Sequence, residues 1–180
     1  MTDPKLRVLI SSREIQERIR EMGEQISADY PDGDLYFVCI LKGACFFLTD
    51  LARAMRRAVS IEFMGISTYG KGTNTSGEVR VTKDLDTSLE GAHVVIVEDI
   101  VDSGVTLNYL VKLLEQRKPK SLRVATLLDK PERRQRPVQT AYVGFRIPDQ
   151  FVVGYGLDYA EKYRNLDDIC VLDSEVQEKS

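Results

Sequence analysis

Apolar residues recur along this chain with two periods, and the alternation between them sets the expected architecture. Behind Ser11, the positions Ile15, Ile19, Met22 and Ile26 fall on one helical face, which predicts an amphipathic helix over residues 12–29. Ser11 and Glu14 have the spacing of a capping box at its start. After turn residues at 31–34, LYFVCIL at 35–41 is a short, bounded apolar run, as expected of a strand buried on both faces. A second helix is expected over 44–57 and a strand over 60–66. A polar, glycine-rich loop follows at 70–77, and 78–82 returns as a hairpin arm. Residues 94–97 read as another buried strand. Leu107, Leu110, Val111 and Leu114 then share a helix face that Pro119 ends. Further strands are expected at 122–128, 141–145 and 151–154.

Strands alternating with helices predict an α/β fold with a mainly parallel central sheet. In such sheets, ligands bind beyond the carboxyl ends of the strands. The places to search are therefore the residues just after 41, 66, 97, 128 and 153.

Composition narrows this picture. A chain of 180 residues is one ordinary domain with room for a core. The net charge of −3 argues against a nucleic-acid coat or a polybasic membrane binder. The arginine clusters at 53/56/57 and 133/134/136 read as solvated faces. Three cysteines, an odd number with no C-x-x-C, read as reduced core residues rather than a disulfide framework or zinc site. With neither a signal-peptide pattern nor ~20 consecutive apolar residues, the expected location is cytoplasmic, with no membrane partner.

Two phosphate-binding motifs fail on inspection. Gly65-x-x-x-x-Gly70-Lys71 continues with Gly72, so the hydroxyl that a P-loop offers to magnesium is missing, and no helix follows. Gly154-Tyr155-Gly156 has Tyr159 at the position of the third glycine, with too little chain beyond it for a dinucleotide-binding unit.

VVIVEDIVDSGVT at 94–106 is different. A buried strand ends in Glu98 and Asp99; Asp102, Ser103, Gly104, Val105 and Thr106 then lead into a helix. Small hydroxylated residues and glycine at a helix N-terminus expose backbone N–H groups to an anion and suit a phosphate. The acids fit sugar hydroxyls, a hard cation or a proton to be removed. The plainer alternative is an acidic turn that favours the helix dipole.

This segment resembles the phosphoribosyl pyrophosphate (PRPP) motif of type I phosphoribosyltransferases. The likeness extends over nearly the whole chain to the hypoxanthine–guanine branch. Leu41-Lys42-Gly43 resembles the pyrophosphate loop, whose peptide before the lysine is often cis. Ser67, Thr68, Tyr69 and Gly70 resemble the start of a mobile lid. Lys130, Phe151–Tyr155, Leu157–Tyr159 and Arg164 resemble the purine and pyrophosphate segment.

The resemblance implies a single domain over 1–180, with a core at about 30–145 and a small hood built from both chain ends. It implies transfer of phosphoribose from PRPP to N9 of hypoxanthine or guanine. Asp102 would be the general base; Glu98 and Asp99 would hold the ribose hydroxyls; residues 102–106 would wrap the 5′-phosphate. Lys42, Gly43 and Arg164 would bind pyrophosphate. Lys130 would read the 6-oxygen, Phe151 would stack on the purine and Val152 would offer backbone groups. Glu98, Asp99 and Asp158 would hold Mg2+, Asp158 lying by the purine. A homodimer or tetramer without nucleic acid is implied. Each role has a plain counterpart: Lys42 and Lys130 as surface lysines, Phe151 as core packing, and the only histidine, His93, as a surface residue. A xanthine-preferring enzyme and an RNA-binding pyrimidine regulator on the same fold are the alternatives.

Overall fold

The structure, a computed structural model, describes residues 6–69 and 78–172. The glycine-rich loop expected at 70–77 lies outside the described residues, as do the side chains of Thr68 and Tyr69. The elements are β1 (Leu6–Ile10), α1 (Ser12–Asp29), β2 (Leu35–Leu41), α2 (Ala44–Ala54), β3 (Ser60–Tyr69) and β4 (Glu78–Lys83). They continue with β5 (His93–Val101), α3 (Val105–Glu115), β6 (Ser121–Asp129), β7 (Tyr142–Arg146), β8 (Val152–Val153) and β9 (Ile169–Leu172).

A six-stranded sheet has the order β4-β3-β2-β5-β6-β7. All its neighbours run parallel except β4, which pairs antiparallel with β3. The chain moves from β2 outward to β3 and later returns to β5 on the other side of β2. That reversal opens a crevice beyond the carboxyl ends of β2 and β5. Alternate residues of these strands serve different layers. Phe37, Cys39, Val95 and Val97 pack with α1 and α2, whereas Val38, Ile40, Val94 and Ile96 pack with Leu107, Leu110 and Leu114 of α3. The unbroken apolar runs follow from that two-sided burial.

The capping box forms as expected: Ser11 N donates to Glu14 Oε2 at 2.9 Å and Glu14 N to Ser11 Oγ at 3.4 Å. Gly23 lets α1 approach α2, since a Cβ there would come within 2.8 Å of Ala54. Helix α2 stops at Ala54 rather than 57. Arg56 N donates instead to Ser27 Oγ of α1, at 2.9 Å.

β5 runs four residues past Val97 and so carries Glu98 and Asp99 on the strand itself. Acids interrupt the apolar pattern but not the pairing of Glu98 with Thr126 of β6. β3 likewise continues through Tyr69, held by β4. A second sheet, β1-β9-β8, joins the two ends of the chain. β1 and β9 were not apparent from the pattern, because each is too short to show a period. Ser12 N donates to Asp168 at 2.6 Å and ties the start of α1 to this sheet. No helix among the described residues is long and apolar enough to cross a membrane.

Candidate active site

A cavity of about 340 Å³ lies at the crevice between β2 and β5. Lys42, Gly43, Glu98, Asp99, Asp102 and Arg164 are on its wall, together with Ser103, Gly104, Thr106 and Asp158. Four separate stretches of sequence thus converge, while Val105 begins α3 behind the loop.

The β2–α2 connection supplies the first wall. The Leu41–Lys42 peptide is cis. The Lys42 side chain is exposed and pairs with Glu161 at 3.1 Å, so the backbone at 42–43 is what this loop turns to the cavity wall. Gly43 is required by its neighbour: a Cβ there would overlap Oδ2 of Asp99.

The acids at the end of β5 have unlike surroundings. Glu98 is buried, and desolvation, reinforced by the charge of Asp99, holds its carboxyl well above the usual range. Burial also pushes Asp99 up, to about 6, against the opposing hydrogen bond from Ile100 N at 2.8 Å. Asp102 lies on the loop beyond, with its side chain 43% exposed. Two adjacent carboxyls whose ionisation is opposed by burial are suited to a partner that would bring positive charge to them.

Between β5 and α3 the chain turns on Gly104, at φ 78°, where any Cβ would come within 2.6 Å of Arg136 O. The turn leaves the N-terminus of α3 facing the cavity through Gly104 and Thr106. Residues 130–136 brace it from behind. Lys130 N donates to Val101 O at 2.9 Å, and Gln135 N and Arg136 N donate to Ser103 O at 2.9 and 3.1 Å. Arg134 donates to Asp102 O at 3.1 Å and is ion-paired with Asp129. Arg134 is therefore not part of a solvated face, although Arg133 and Arg136 are exposed. Arg134 is half-buried behind the loop, and the exposed Arg133 reaches Asp102 and Asp149.

Next to Asp102 is a second group of residues. The Lys130 side chain is buried, with Nζ 3.8 Å from Asp149 Oδ1, so it is not a surface lysine. Phe151 is 41% exposed and stands edge-on to Tyr159, ring centroids 5.7 Å apart, which rules out core packing. Val152 is buried and pairs with Val171. Arg164 donates to Gly156 O at 2.7 Å and pairs with Asp158 at 2.9 Å, so Asp158 turns toward the cavity rather than standing free. The Nε of Arg164 is enclosed without a hydrogen-bond partner.

On β3, Ser67 Oγ is enclosed and likewise unpartnered. His93 is at the opposite end of β5 from the acids, half-buried against Tyr30, with Nδ1 2.6 Å from Ser121 Oγ.

Sequence reasoning left out Arg133, Arg134 and Asp149. Their signal was the density of charge within a few residues of Lys130, which also fits an exposed turn. Only the packing of 131–136 on the 102–104 loop separates the two possibilities.

Comparison with known proteins agrees with this geometry. The phosphoribosyl transferase domain model matches residues 11–160. The chain is 49% identical over 172 residues to the hypoxanthine-guanine phosphoribosyltransferase of Bacillus subtilis, covering 96% of each. It is 51% identical over 170 residues to the bifunctional protein TilS/HprT of Listeria innocua, where it spans 94% of this chain but 26% of that protein. A crystal structure of a hypoxanthine phosphoribosyltransferase from Staphylococcus aureus superposes with a TM-score of 0.92 at 47% identity, covering 96% of this chain and 94% of the other. The chain belongs to the phosphoribosyl transferase domain family and, within it, to the hypoxanthine-guanine phosphoribosyltransferases.

Proposed function

We propose that this protein is a purine-salvage transferase that moves the 5-phosphoribosyl group from PRPP to N9 of hypoxanthine or guanine. The observation that carries this reading is the convergence of a buried and a half-buried acid, a glycine turn at a helix N-terminus and Arg164 on one cavity, with Lys130 and Phe151 beside it.

Each group has a task the geometry suits. The turn at 102–106 receives the 5′-phosphate; the acids at 98 and 99 face the ribose hydroxyls. Gly43 and Arg164 meet the pyrophosphate. Phe151 presents an open ring for stacking, with Val152 behind it. Lys130 is a donor for the 6-oxygen, a choice that disfavours the 6-amino group of adenine. The bond from C1′ to pyrophosphate breaks as N9 bonds to C1′, and Asp102 accepts the proton from N7. Such assistance is worth about 10²–10⁴ in rate. Ser67, Thr68 and Tyr69 belong to a lid that keeps water from the reacting centre.

Magnesium fits this donor set. It takes one or two carboxylates together with substrate oxygens; Glu98 and Asp99 would hold one ion and Asp158 a second. When bound, it would neutralise charge building on the pyrophosphate.

The whole chain would act as one domain, with β1, β8 and β9 as a hood over the purine side. The family likeness supports a cytoplasmic dimer or tetramer. The deciding assay supplies PRPP and magnesium with hypoxanthine, guanine, xanthine, adenine or uracil in turn. Nucleotide from hypoxanthine and guanine is expected. A preference for xanthine would reassign the substrate, no nucleotide from any oxopurine would overturn the reading, and full activity in excess chelator would remove the metal.

A further inference from the structure

We propose that Arg133 is a positioning residue that orients the carboxylate of Asp102 and couples it, through Asp149, to Lys130. This rests on the purine-transfer reading and extends it to a residue that touches neither substrate.

The four side chains form a line of alternating charge. Arg133 Nε is 3.0 Å from Asp102 Oδ1, Arg133 Nη1 is 3.3 Å from Asp149 Oδ1, and that same oxygen is 3.8 Å from Lys130 Nζ. Asp102 Oδ1 is enclosed, and no donor makes an aligned hydrogen bond to it. The Arg133 contact, at ion-pair distance but off-axis, is what holds this oxygen. Because Oδ1 is covered while the side chain as a whole is 43% exposed, the open surface belongs to the rest of the group. Oδ2 is thereby left as the oxygen that can meet a substrate proton. The two oxygens have different work: one is held, one is offered.

The far end of the line matters equally. Lys130 is buried, and a buried ammonium without a counter-charge is costly. Asp149 supplies that charge from the connection between β7 and β8. N7 and O6 are adjacent atoms on one purine edge. The acceptor for the first and the donor for the second must keep a fixed separation for both to engage. Among the described residues no backbone hydrogen bond joins the 102 loop to the 149 loop; Arg133 spans them. A 3-10 turn at Pro131–Arg133 sets its direction, with Arg134 N closing onto Pro131 O at 3.2 Å.

A merely structural role predicts something else. Arg133 is half-exposed, and exposed ion pairs contribute ~0–1 kcal/mol. Its removal should leave folding almost untouched and act on turnover.

The test is steady-state kinetics of Arg133→Met, which keeps the aliphatic stem, and Arg133→Lys, which restores a cation. Both are measured alone and in the Asp102→Asn background. Arg133→Met is expected to lower kcat about tenfold to a hundredfold, a share of what a general base supplies, with the KM for PRPP within about twofold and the melting temperature unchanged. Arg133→Lys should recover most of the loss. In the Asp102→Asn background, Arg133→Met should cost little more, because the group it orients has lost its function.

An unchanged kcat in Arg133→Met, or the same loss with and without the Asp102 carboxylate, overturns the proposal. A rise in the KM for PRPP with kcat untouched also overturns it, placing Arg133 on the phosphates. If the unaltered protein makes no nucleotide from any oxopurine, the failure belongs to the purine-transfer reading itself.

Discussion

Asp99→Asn should make the ligand-free protein more stable at neutral pH while disabling it. Burial pushes the Asp99 carboxyl up to about 6 in the folded protein, against an ordinary value of 3.8. The folded state therefore holds this proton more tightly than the unfolded chain does. Below about pH 3, both states are protonated and ionisation carries no penalty. As pH rises through 6, the unfolded chain has already ionised and the folded state must bear a desolvated carboxylate. A shift of about two units corresponds to about 3 kcal/mol at 1.36 kcal/mol per unit. Solvent screening of this partly enclosed group brings that to on the order of 2 kcal/mol. Asparagine keeps an oxygen for Ile100 N and never ionises, and it relieves Glu98 of a neighbouring charge. Urea unfolding at pH 7.5 and pH 4, with chelator and without PRPP, should show a stabilisation of ~2 kcal/mol at the higher pH that falls to about 0.5 kcal/mol or less at the lower. Asp99→Asn with stability equal to or below that of the parent at pH 7.5 would refute the claim that this acid is held at a cost to the fold.

Two more outcomes follow from single contacts. Gly43→Ala drives a methyl group into Asp99 and should reduce turnover by more than about a hundredfold, since misplacement of about 1 Å has that effect; initial rates at saturating PRPP would reveal it, and near-normal rates would show that the loop can shift. Phe151→Ala should raise the KM for hypoxanthine about tenfold, stacking being worth ~1–3 kcal/mol per base, with the KM for PRPP unaffected. Because Phe151 is 41% exposed, a large fall in melting temperature would instead return it to a packing role.

Much of the site was legible because it is local. Glu98, Asp99, Asp102 and Gly104 lie on one strand and its turn, so their spacing already implies a shared direction. Lys42 and Gly43 follow directly from the end of β2. Lys130 and Phe151 were not legible in this way: each had a plain alternative that only burial could decide, and burial went opposite ways for the two. Arg133 and Arg134 were read as solvent-facing, since arginines beside a proline in a short turn carry no period to indicate what they face.

The sequence by itself determined the alternating strands and helices, the two-sided burial of β2 and β5, and the acids at the tip of β5. These are set by neighbours within a few residues, where the pleat and the helical turn impose their periods. Only the tertiary structure decided that β1 and β9 pair across the whole length of the chain, that Asp158 and Arg164 reach the cavity opened by β2 and β5, and that Arg133 spans Asp102 and Asp149. Periodicity tells which face of an element is covered. What covers it depends on segments far away in the chain, and their pairing leaves no period to read.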